Sequence, residues 1–310
     1  MQRRSLSRLM SPPSFTVVIA THDRAGLVGR AIQSAVDQHW PELEVIVVDD
    51  ASGDATPEVV RSGYPQVRYL RQETNQGPGP ARNRGIRAAA NEWIVILDDD
   101  DTLLPGALTR IAGHIQSFTA AHDYPVLQFA RTNGSIPQEY LLAGLDDFLG
   151  GTIRGDFTPA IQAKGFRESG FAYPSGRACE DHLLWFKVAD RYGIPTWATQ
   201  VVRLGTDAPL RITSPEHQIA SAREHAHAHE VTLEEFGELL AARYPEAYVR
   251  KRLGAAFYWL LAGEPSRART HLHHTLRGRH VLHSLTLWGL SLVPRAITRT
   301  AFTAYRRLTT

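Results

Sequence analysis

Short, continuous apolar runs alternate with segments of helical periodicity through the first 130 residues of this 310-residue chain. Strands that alternate with helices imply a mainly parallel sheet covered by helices on both faces. Because the runs are unbroken rather than alternating, they fit strands that are buried on both faces. An α/β fold is therefore expected. The predicted strands are residues 15–20, 44–48, 67–71, 93–97 and 126–130, and the predicted helices are 28–36, one from about Pro57, 81–90 and 105–118.

The remainder of the chain has weaker patterning. Residues 131–178 are rich in glycine and proline and have no clear period, so they are either a substrate-binding loop region or a poorly formed connector. Residues 180–192 return to helical periodicity, with Gly193 as the stop signal. From about residue 215 onward the pattern is helical throughout. The sequence predicts four parts: 1–14, 15–130, 131–214 and 215–310.

Composition excludes several classes of protein. Hydrophobic residues make up 43% and charged residues 21%, as in globular proteins, which argues against disorder, collagen or a coiled coil. A single cysteine, Cys179, allows neither an intrachain disulfide nor a cysteine zinc site, and indicates a reducing compartment. The longest mainly apolar stretch, 281–293, is shorter than the ~20 residues of a spanning helix. With no export signal at the N-terminus, a cytoplasmic location is expected.

The charge of the chain is unevenly distributed. The overall charge is +2, but residues 265–310 contain eight arginines and no acidic residue, which leaves the preceding part net acidic. The same tail has apolar residues between 282 and 292 followed by arginines, a combination suited to an anionic membrane surface. Packing against the rest of the chain or a second subunit is the alternative. Nucleic acid is not an expected partner, because the overall charge is low and aromatic-basic interleaving is missing.

Acidic residues follow two predicted strands and begin a later helix. They are Asp49–Asp50, the run 98–101, and Glu180–Asp181. In open α/β sheets, ligands bind outside the carboxyl ends of the strands. Four adjacent carboxylates repel one another unless a cation neutralises them, and oxygen ligands suit Mg²⁺ or Mn²⁺. The alternative is a solvated acidic turn in which Asp101 caps the next helix.

Two further segments could contact a nucleotide. Asp50 could accept hydrogen bonds from a base or ribose, or could belong to an Asx-turn in which Asp49 or Ser52 caps a helix. The loop at 75–83 offers glycines for close backbone approach and Arg82 for phosphate charge, or is a plain loop before a helix. It matches neither the dinucleotide glycine pattern nor a P-loop.

Taken in order, these motifs resemble those of family 2 glycosyltransferases, which have the GT-A fold. The similarity covers roughly residues 15–205. The pair Glu180–Asp181, followed by Leu183, Leu184 and Trp185, fits the acceptor-side motif of that family. The other matching segments are 17–24, 47–56, 75–77 with 81–85, and 97–101 with Pro105.

The resemblance implies roles for individual residues. Asp50 corresponds to the contact to the base, Asp98 lies near the ribose, Asp100 binds the metal, and Asp181 is the general base. Because four aspartates are adjacent, Asp99 or Asp101 could take the metal instead. The family more often has an aromatic residue and an asparagine where this chain has residues 21–23. The nucleotide-binding set is Thr21, Asp23, Arg24, Asp50, Asn75, Gly77, Arg82, Asp98 and Asp99, with Glu180 on the acceptor side.

The resemblance also implies an activity. Residues 15–130 would bind a nucleotide-diphosphate sugar, by default a UDP-sugar with GDP and dTDP open, and 131–214 would bind a glycan or lipid-linked acceptor. With a divalent metal, Mn²⁺ or Mg²⁺, and one base, a single displacement with inversion is expected. The Gln-x-x-Arg-Trp motif of processive synthases is missing, which favours transfer of one sugar. The alternatives are an inactive nucleotide-sugar-binding module and a GT-A-like sugar nucleotidyltransferase. A receiver-type domain is not expected, because this chain lacks the acidic pair that such a domain needs after its first strand.

Two histidine groups complete the set of candidate features. His225, His227 and His229 alternate with alanine, and on a helix only His225 and His229 align. A solvated helix face is predicted in preference to a metal site. The same is predicted for His271, His273 and His274.

Overall fold

The computed structural model describes residues 11–175, 181–207, 215–275 and 280–309. The chain divides into two compact units, the first made of residues up to 207 and the second of the described residues from 215 onward. None of the helices in these ranges has the length and apolar character needed to cross a membrane.

A nine-stranded sheet forms the centre of the first unit. Its strand order is β3-β2-β1-β4-β8-β6-β9-β5, and β7 also pairs with β9. The neighbours β3, β2, β1 and β4 are parallel, whereas β8 runs antiparallel between β4 and β6. All five predicted strands are confirmed to within two residues. The strands are β1 Phe15–Thr21, β2 Leu43–Asp49, β3 Arg68–Arg71, β4 Trp93–Asp98, β5 Thr102–Leu103, β6 Val126–Arg131, β7 Tyr140–Ala143, β8 Phe157–Gln162 and β9 Ile194–Arg203.

Helices of the first unit cover the sheet on both faces, as expected. Along β1, Val17 and Ile19 belong to one apolar cluster, and Val18 belongs to a second cluster. Gly85 allows close approach to β1, because a Cβ at that position would lie 2.3 Å from Val18 Cγ1. The helices are α1 Val28–Val36, α2 Thr56–Gly63, α3 Pro78–Ala88, α4 Ala107–Ser117, α5 Leu145–Gly150, α6 Ala163–Ser169 and α7 Asp181–Tyr192.

The segment without a period, 131–178, is described as far as residue 175. It contains β7, α5, β8 and α6, so the interpretation as a poorly formed connector is wrong. Strand β8 lies in the middle of the sheet although it contains Pro159, which is buried and pairs with Gln128. Proline and polar residues in a central strand hide the apolar signal that marks the other strands. Because β8 pairs with both β4 and β6, the predicted boundary at 130 falls within one sheet.

Within its described residues the second unit contains helices and no strand, as predicted. Its core includes Trp259, Leu260 and Leu287, each less than 4% exposed. Its helices are α8 Pro215–Ala220, α9 Ala222–Arg243, α10 Pro245–Ala262, α11 Pro265–Leu272, α12 Val281–Leu290 and α13 Arg295–Thr309.

Three of the histidines in this unit are not on a solvated helix face. His225 and His229 do align, but both rings stack on Tyr258, at centroid distances of 4.8 and 5.8 Å. Burial lowers the pKa of His229 to about 3. His271 is 6% exposed and contacts Glu230 Oε1 through Nε2 at 3.1 Å. The prediction was wrong for these residues because spacing shows which side chains share a face, but does not show what packs against that face.

Candidate active site

The acidic run follows β4, and its first member is held by two arginines. Arg82 Nη2 donates to Asp98 Oδ1 at 2.6 Å, and Arg131 Nη1 donates to Asp98 Oδ2 at 2.6 Å. Burial disfavours the charged carboxylate, but the two guanidinium groups outweigh it and hold the pKa of Asp98 well below its usual range. Asp98 is therefore a fixed, ionised anchor of the site.

The sequence analysis did not identify Arg131, yet this arginine binds two aspartates of the acidic run. It is the last residue of β6, and its Nη1 also donates to Asp101 Oδ2 at 2.7 Å. Asp101 is 2% exposed and accepts a second hydrogen bond from Gly205 N at 2.8 Å. The helix after the run has Gly106 as its N-cap residue, so the interpretation of Asp101 as a helix cap is wrong. Because β6 runs parallel to β4, the strand-end rule would have identified Arg131.

Arg82 connects this run to the predicted base. Its Nη1 donates to Asp181 Oδ2 at 2.7 Å, and its Cζ lies 5.3 Å from the ring centroid of Tyr173. Asp181 is the first residue of α7, and its side chain remains 32% exposed. Burial raises the pKa of Asp181, although the charge of Arg82 opposes that rise. One buried guanidinium thus joins the donor-side aspartate, Asp98, to the predicted base.

The segment that leads towards Asp181 is fixed on α3. Asn83 Nδ2 donates to Tyr173 O at 2.8 Å, and Tyr173 N donates back to Asn83 Oδ1 at 2.9 Å. A Cβ on Gly79 would lie 2.2 Å from Pro174 O, so only glycine allows this approach. Glu180, the predicted acceptor-side residue, lies outside the described residues, as does Cys179.

The middle of the acidic run has negative charge that Arg24 opposes only in part. Thr21 Oγ1 donates to Asp99 Oδ2 at 2.7 Å, but burial, together with neighbouring Asp100 and Asp98, raises the pKa of Asp99 to about 7. Burial likewise raises the pKa of Asp101 to about 6 despite Arg131.

The acidic run includes a side chain, Asp100, that fits a hard divalent cation. Within the described residues, the Asp100 carboxylate receives no hydrogen bond, although the Asp100 carbonyl accepts one from Arg30 Nη2 at 3.1 Å. In the described part of the chain, no three or more histidine, cysteine, aspartate or glutamate side chains are arranged so that they could hold a metal ion by themselves. Mg²⁺-type sites commonly use one or two carboxylates with substrate phosphates, so Asp100 provides a suitable protein ligand.

Asp50 fixes the predicted nucleotide loop. It is 3% exposed, and its carboxylate accepts hydrogen bonds from Gly77 N at 2.7 Å, Gln76 N at 2.8 Å and Gln72 Nε2 at 2.6 Å. Gly77 has a φ of 95°, which favours glycine, and half-buried Asn75 lies at the start of this loop. The Asx-turn is present at the preceding residue, because Ser52 N donates to Asp49 Oδ1 at 2.8 Å.

The residues after β1 are joined to those after β2. Asp23 has a φ of 51°, and its Oδ1 accepts a hydrogen bond from Gly53 N at 2.6 Å. Asp23 N donates to Ser52 Oγ at 3.0 Å, and Arg24 N donates to Thr56 Oγ1 at 3.0 Å. Thr21, Asp23, Asp50 and the acidic run therefore line the carboxyl ends of adjacent strands, where the sequence placed them.

Comparison with known proteins identifies a matching family. Residues 16–182 match the family model described as glycosyl transferase family 2. The relatives include the succinoglycan biosynthesis protein ExoO of Rhizobium meliloti, 47% identical over 100 residues, or 32% of this chain and 29% of that protein. Another is the GalNAc(5)-diNAcBac-PP-undecaprenol beta-1,3-glucosyltransferase of Campylobacter jejuni, 39% identical over 103 residues, or 32% and 33%. The matched part spans about a third of the length of these two relatives.

Solved structures resemble almost the whole chain. Residues 1–349 of S. aureus TarS, in complex with UDP-GlcNAc, superpose with a TM-score of 0.57 at 18% identity over 95% of this chain and 92% of that one. The mannosyltransferase PcManGT of Pyrobaculum calidifontis, in complex with GDP-Man and Mn²⁺, gives 0.53 at 20% identity over 98% and 91%. At this identity the likeness shows the fold.

The fold of the first unit is of the GT-A type. Since the family model covers more than half of the sequence, the chain belongs to glycosyl transferase family 2. This membership excludes the receiver-type domain and the sugar nucleotidyltransferase as the family of this chain. The names of these two relatives specify succinoglycan biosynthesis and a glucosyltransferase with an undecaprenol-linked substrate.

Proposed function

We propose that this chain is an inverting glycosyltransferase that moves one sugar from a nucleotide-diphosphate sugar, by default a UDP-sugar, to an acceptor hydroxyl. The observation that carries the proposal is the hydrogen-bonded chain Asp98–Arg82–Asp181, which couples the donor side to the predicted base. Transfer by a single displacement needs such a base close to the sugar that leaves the diphosphate.

Asp181 has the properties that a general base needs. Its pKa is raised by burial, which makes the carboxylate a better proton acceptor than an ordinary aspartate at neutral pH. One oxygen, Oδ2, is held by Arg82, while Oδ1 receives no hydrogen bond within the described residues. In the proposed reaction the acceptor hydroxyl gives its proton to Asp181 as its oxygen attacks the sugar carbon. The bond from that carbon to the diphosphate breaks at the same time, and the diphosphate leaves with the electron pair.

The donor is assigned to the carboxyl ends of β1, β2 and β4. In this proposal Asp50 shapes the loop at the base, Asp98 lies beside the ribose, and Asp100 binds Mn²⁺ or Mg²⁺. The metal would supply charge stabilisation for the leaving diphosphate. Asp101 is less suited to this role than Asp100, because Arg131 and Gly205 already occupy its oxygens. The rest of the proposed nucleotide set is Thr21, Asp23, Arg24, Asn75, Gly77, Arg82 and Asp99, with Glu180 on the acceptor side.

The acceptor is proposed to be a glycan or a lipid-linked glycan. Support comes from relatives whose names specify succinoglycan synthesis and an undecaprenol-diphosphate-linked substrate, and from neighbours solved with UDP-GlcNAc or with GDP-Man and Mn²⁺. A lipid-linked acceptor would place the enzyme at the inner face of the cytoplasmic membrane, with residues 265–310 as the contact to anionic lipid.

Calorimetry tests the donor site directly. The protein is titrated with UDP, GDP and dTDP, each with and without Mn²⁺, as wild type and as Asp100→Asn. Metal-dependent binding of one nucleotide that disappears in Asp100→Asn would support the proposal and identify the carrier. If no nucleotide binds under any condition, the assignment of the donor site is wrong.

Sugar transfer to an acceptor tests the base. Asp181→Asn should bind the nucleotide as the wild type does, but should lose nearly all transfer because amide nitrogen cannot take the proton. Asp190→Asn is the matched control, since Asp190 is an exposed aspartate on the same helix, α7. Transfer by Asp181→Asn at the rate of Asp190→Asn would exclude Asp181 as the base.

A further inference from the structure

Exposed apolar side chains are concentrated in one short segment of the second unit. Of the seven large apolar residues that are exposed in the described ranges, five lie between residues 282 and 297. Leu282 is 80% exposed, Leu292 is 70% exposed and Leu285 is 53% exposed. A cluster of this kind is unusual on a protein surface in contact only with water.

Three exposed leucines of this segment lie on one face. Leu282, Leu285 and Leu292 are spaced by three and seven residues, which places them on the same side of a helix. Hydrogen bonds from Ser291 N to Leu287 O and from Leu292 N to Gly289 O continue the helical path beyond the end of α12.

Packing fixes the direction of that face. Leu287 is 3% exposed and belongs to the core of the unit, and Ser284 Oγ donates to Thr275 O at 3.0 Å. The opposite side of α12 is therefore anchored, so the exposed leucines point away from the core of their own unit. Val293 and Ile297, which are 38% and 52% exposed, extend the apolar surface to the start of α13.

The sequence segment that carries this face has charge of one sign. Residues 265–310 contain eight arginines and neither aspartate nor glutamate. Arg295, which is exposed, follows the apolar segment directly, and its Nε donates to Leu261 O at 2.8 Å. An apolar face in an acid-free basic segment is complementary to a surface that is both apolar and anionic.

We propose that this lipid-docking face, defined as Leu282, Leu285, Leu292, Val293 and Ile297, inserts into the interfacial layer of an anionic membrane. A second copy of the chain is a poorer occupant, because a two-fold interface here would bring two acid-free basic segments together. The inference deepens the proposed function, since a lipid-linked acceptor would be presented at such a surface. It does not depend on which sugar is transferred.

Vesicle co-sedimentation tests the proposal. The full chain is mixed with vesicles of phosphatidylcholine alone or with added phosphatidylglycerol, as wild type and as the triple variant L282E/L285E/L292E. Wild type should prefer the anionic vesicles, and its binding should weaken as salt is added. Loss of three inserted leucines should lower the partition coefficient by about 100-fold or more. Leu142→Glu is the matched control, because Leu142 is 45% exposed in the first unit, and it should bind as the wild type does.

Other outcomes would overturn the proposal. It is wrong if the wild type binds neither kind of vesicle, or if the triple variant binds as well as Leu142→Glu. A wild-type dimer in light scattering that the triple variant splits, without vesicle binding, would assign the face to a second copy. Circular dichroism checks that the triple variant is folded. Nucleotide calorimetry on that variant keeps the two proposals separate, because a lost donor site would appear there and a lost membrane contact would not.

Discussion

Replacement of Arg131 by methionine probes the charge balance of the acidic run. Methionine keeps much of the side-chain volume but removes the hydrogen bonds to Asp98 and Asp101, both from Nη1, at 2.6 and 2.7 Å. The Asp101 side chain is 3% exposed and that of Arg131 is 12% exposed, so water cannot replace the lost partner. The substitution therefore leaves a buried carboxylate uncompensated, while Asp98 keeps Arg82.

The size of the effect follows from these contacts. Breaking a buried ion pair by removal of one partner costs about 3–5 kcal/mol in the free energy of unfolding. In a unit of this size each kcal/mol lowers Tm by roughly 2–4 °C. We therefore expect the Tm of Arg131→Met to fall by about 6–20 °C at pH 8.

The loss should depend on pH. The pKa of Asp101 is about 6 even with Arg131 present, and removal of the cation raises it further. Near pH 5 the carboxyl group is then protonated and no longer needs a cation, so the loss in Tm should shrink. Thermal unfolding, followed by circular dichroism at pH 5 and at pH 8, measures the loss in Tm.

Arg203→Met is the control, because Arg203 is an exposed arginine at the end of β9 and loses the same atoms. If Arg131→Met costs no more than Arg203→Met at pH 8, the buried ion pairs do not stabilise the fold and the reasoning is refuted. Equal losses at pH 5 and pH 8 would refute the protonation of Asp101.

Three further predictions concern neighbouring groups. The pKa of Asp99, about 7, lies above its ordinary value, so near neutral pH the folded metal-free protein binds a proton that the unfolded chain does not. The protein should therefore be more stable to urea at pH 5 than at pH 8, and Asp99→Asn should reduce this difference. Arg82→Met removes the cation that opposes the rise in the pKa of Asp181, so the acid limb of the pH profile of kcat/KM should move to higher pH. An unchanged acid limb would show that Asp181 is not the titrating base. Gly205→Ala should lower Tm by several degrees, because its Cβ would lie 1.9 Å from Asp100 O, whereas Gly113→Ala, in a helix with open space, should not.

The sequence determined the sheet edge and the acids on it. Strands buried on both faces must be continuous apolar runs, which is why β1, β2 and β4 were predicted to within one or two residues. Because Asp50 and the run 98–101 directly follow such strands, their place at one edge of the sheet follows from chain order alone. The helical nature of the described residues from 215 onward was likewise indicated by their periodicity.

Only the tertiary structure decided which groups compensate the acids. Arg82 and Asp181 are 99 residues apart in sequence, and Arg131 and Asp98 are 33 apart, yet each pair is hydrogen-bonded. The same holds for β8, whose proline and polar residues give no strand pattern, and for His229, which stacks on Tyr258. Periodicity reports the environment that a residue shares with its close neighbours along the chain. Ion pairing and burial depend on distances between distant segments, which exist only once those segments have packed together.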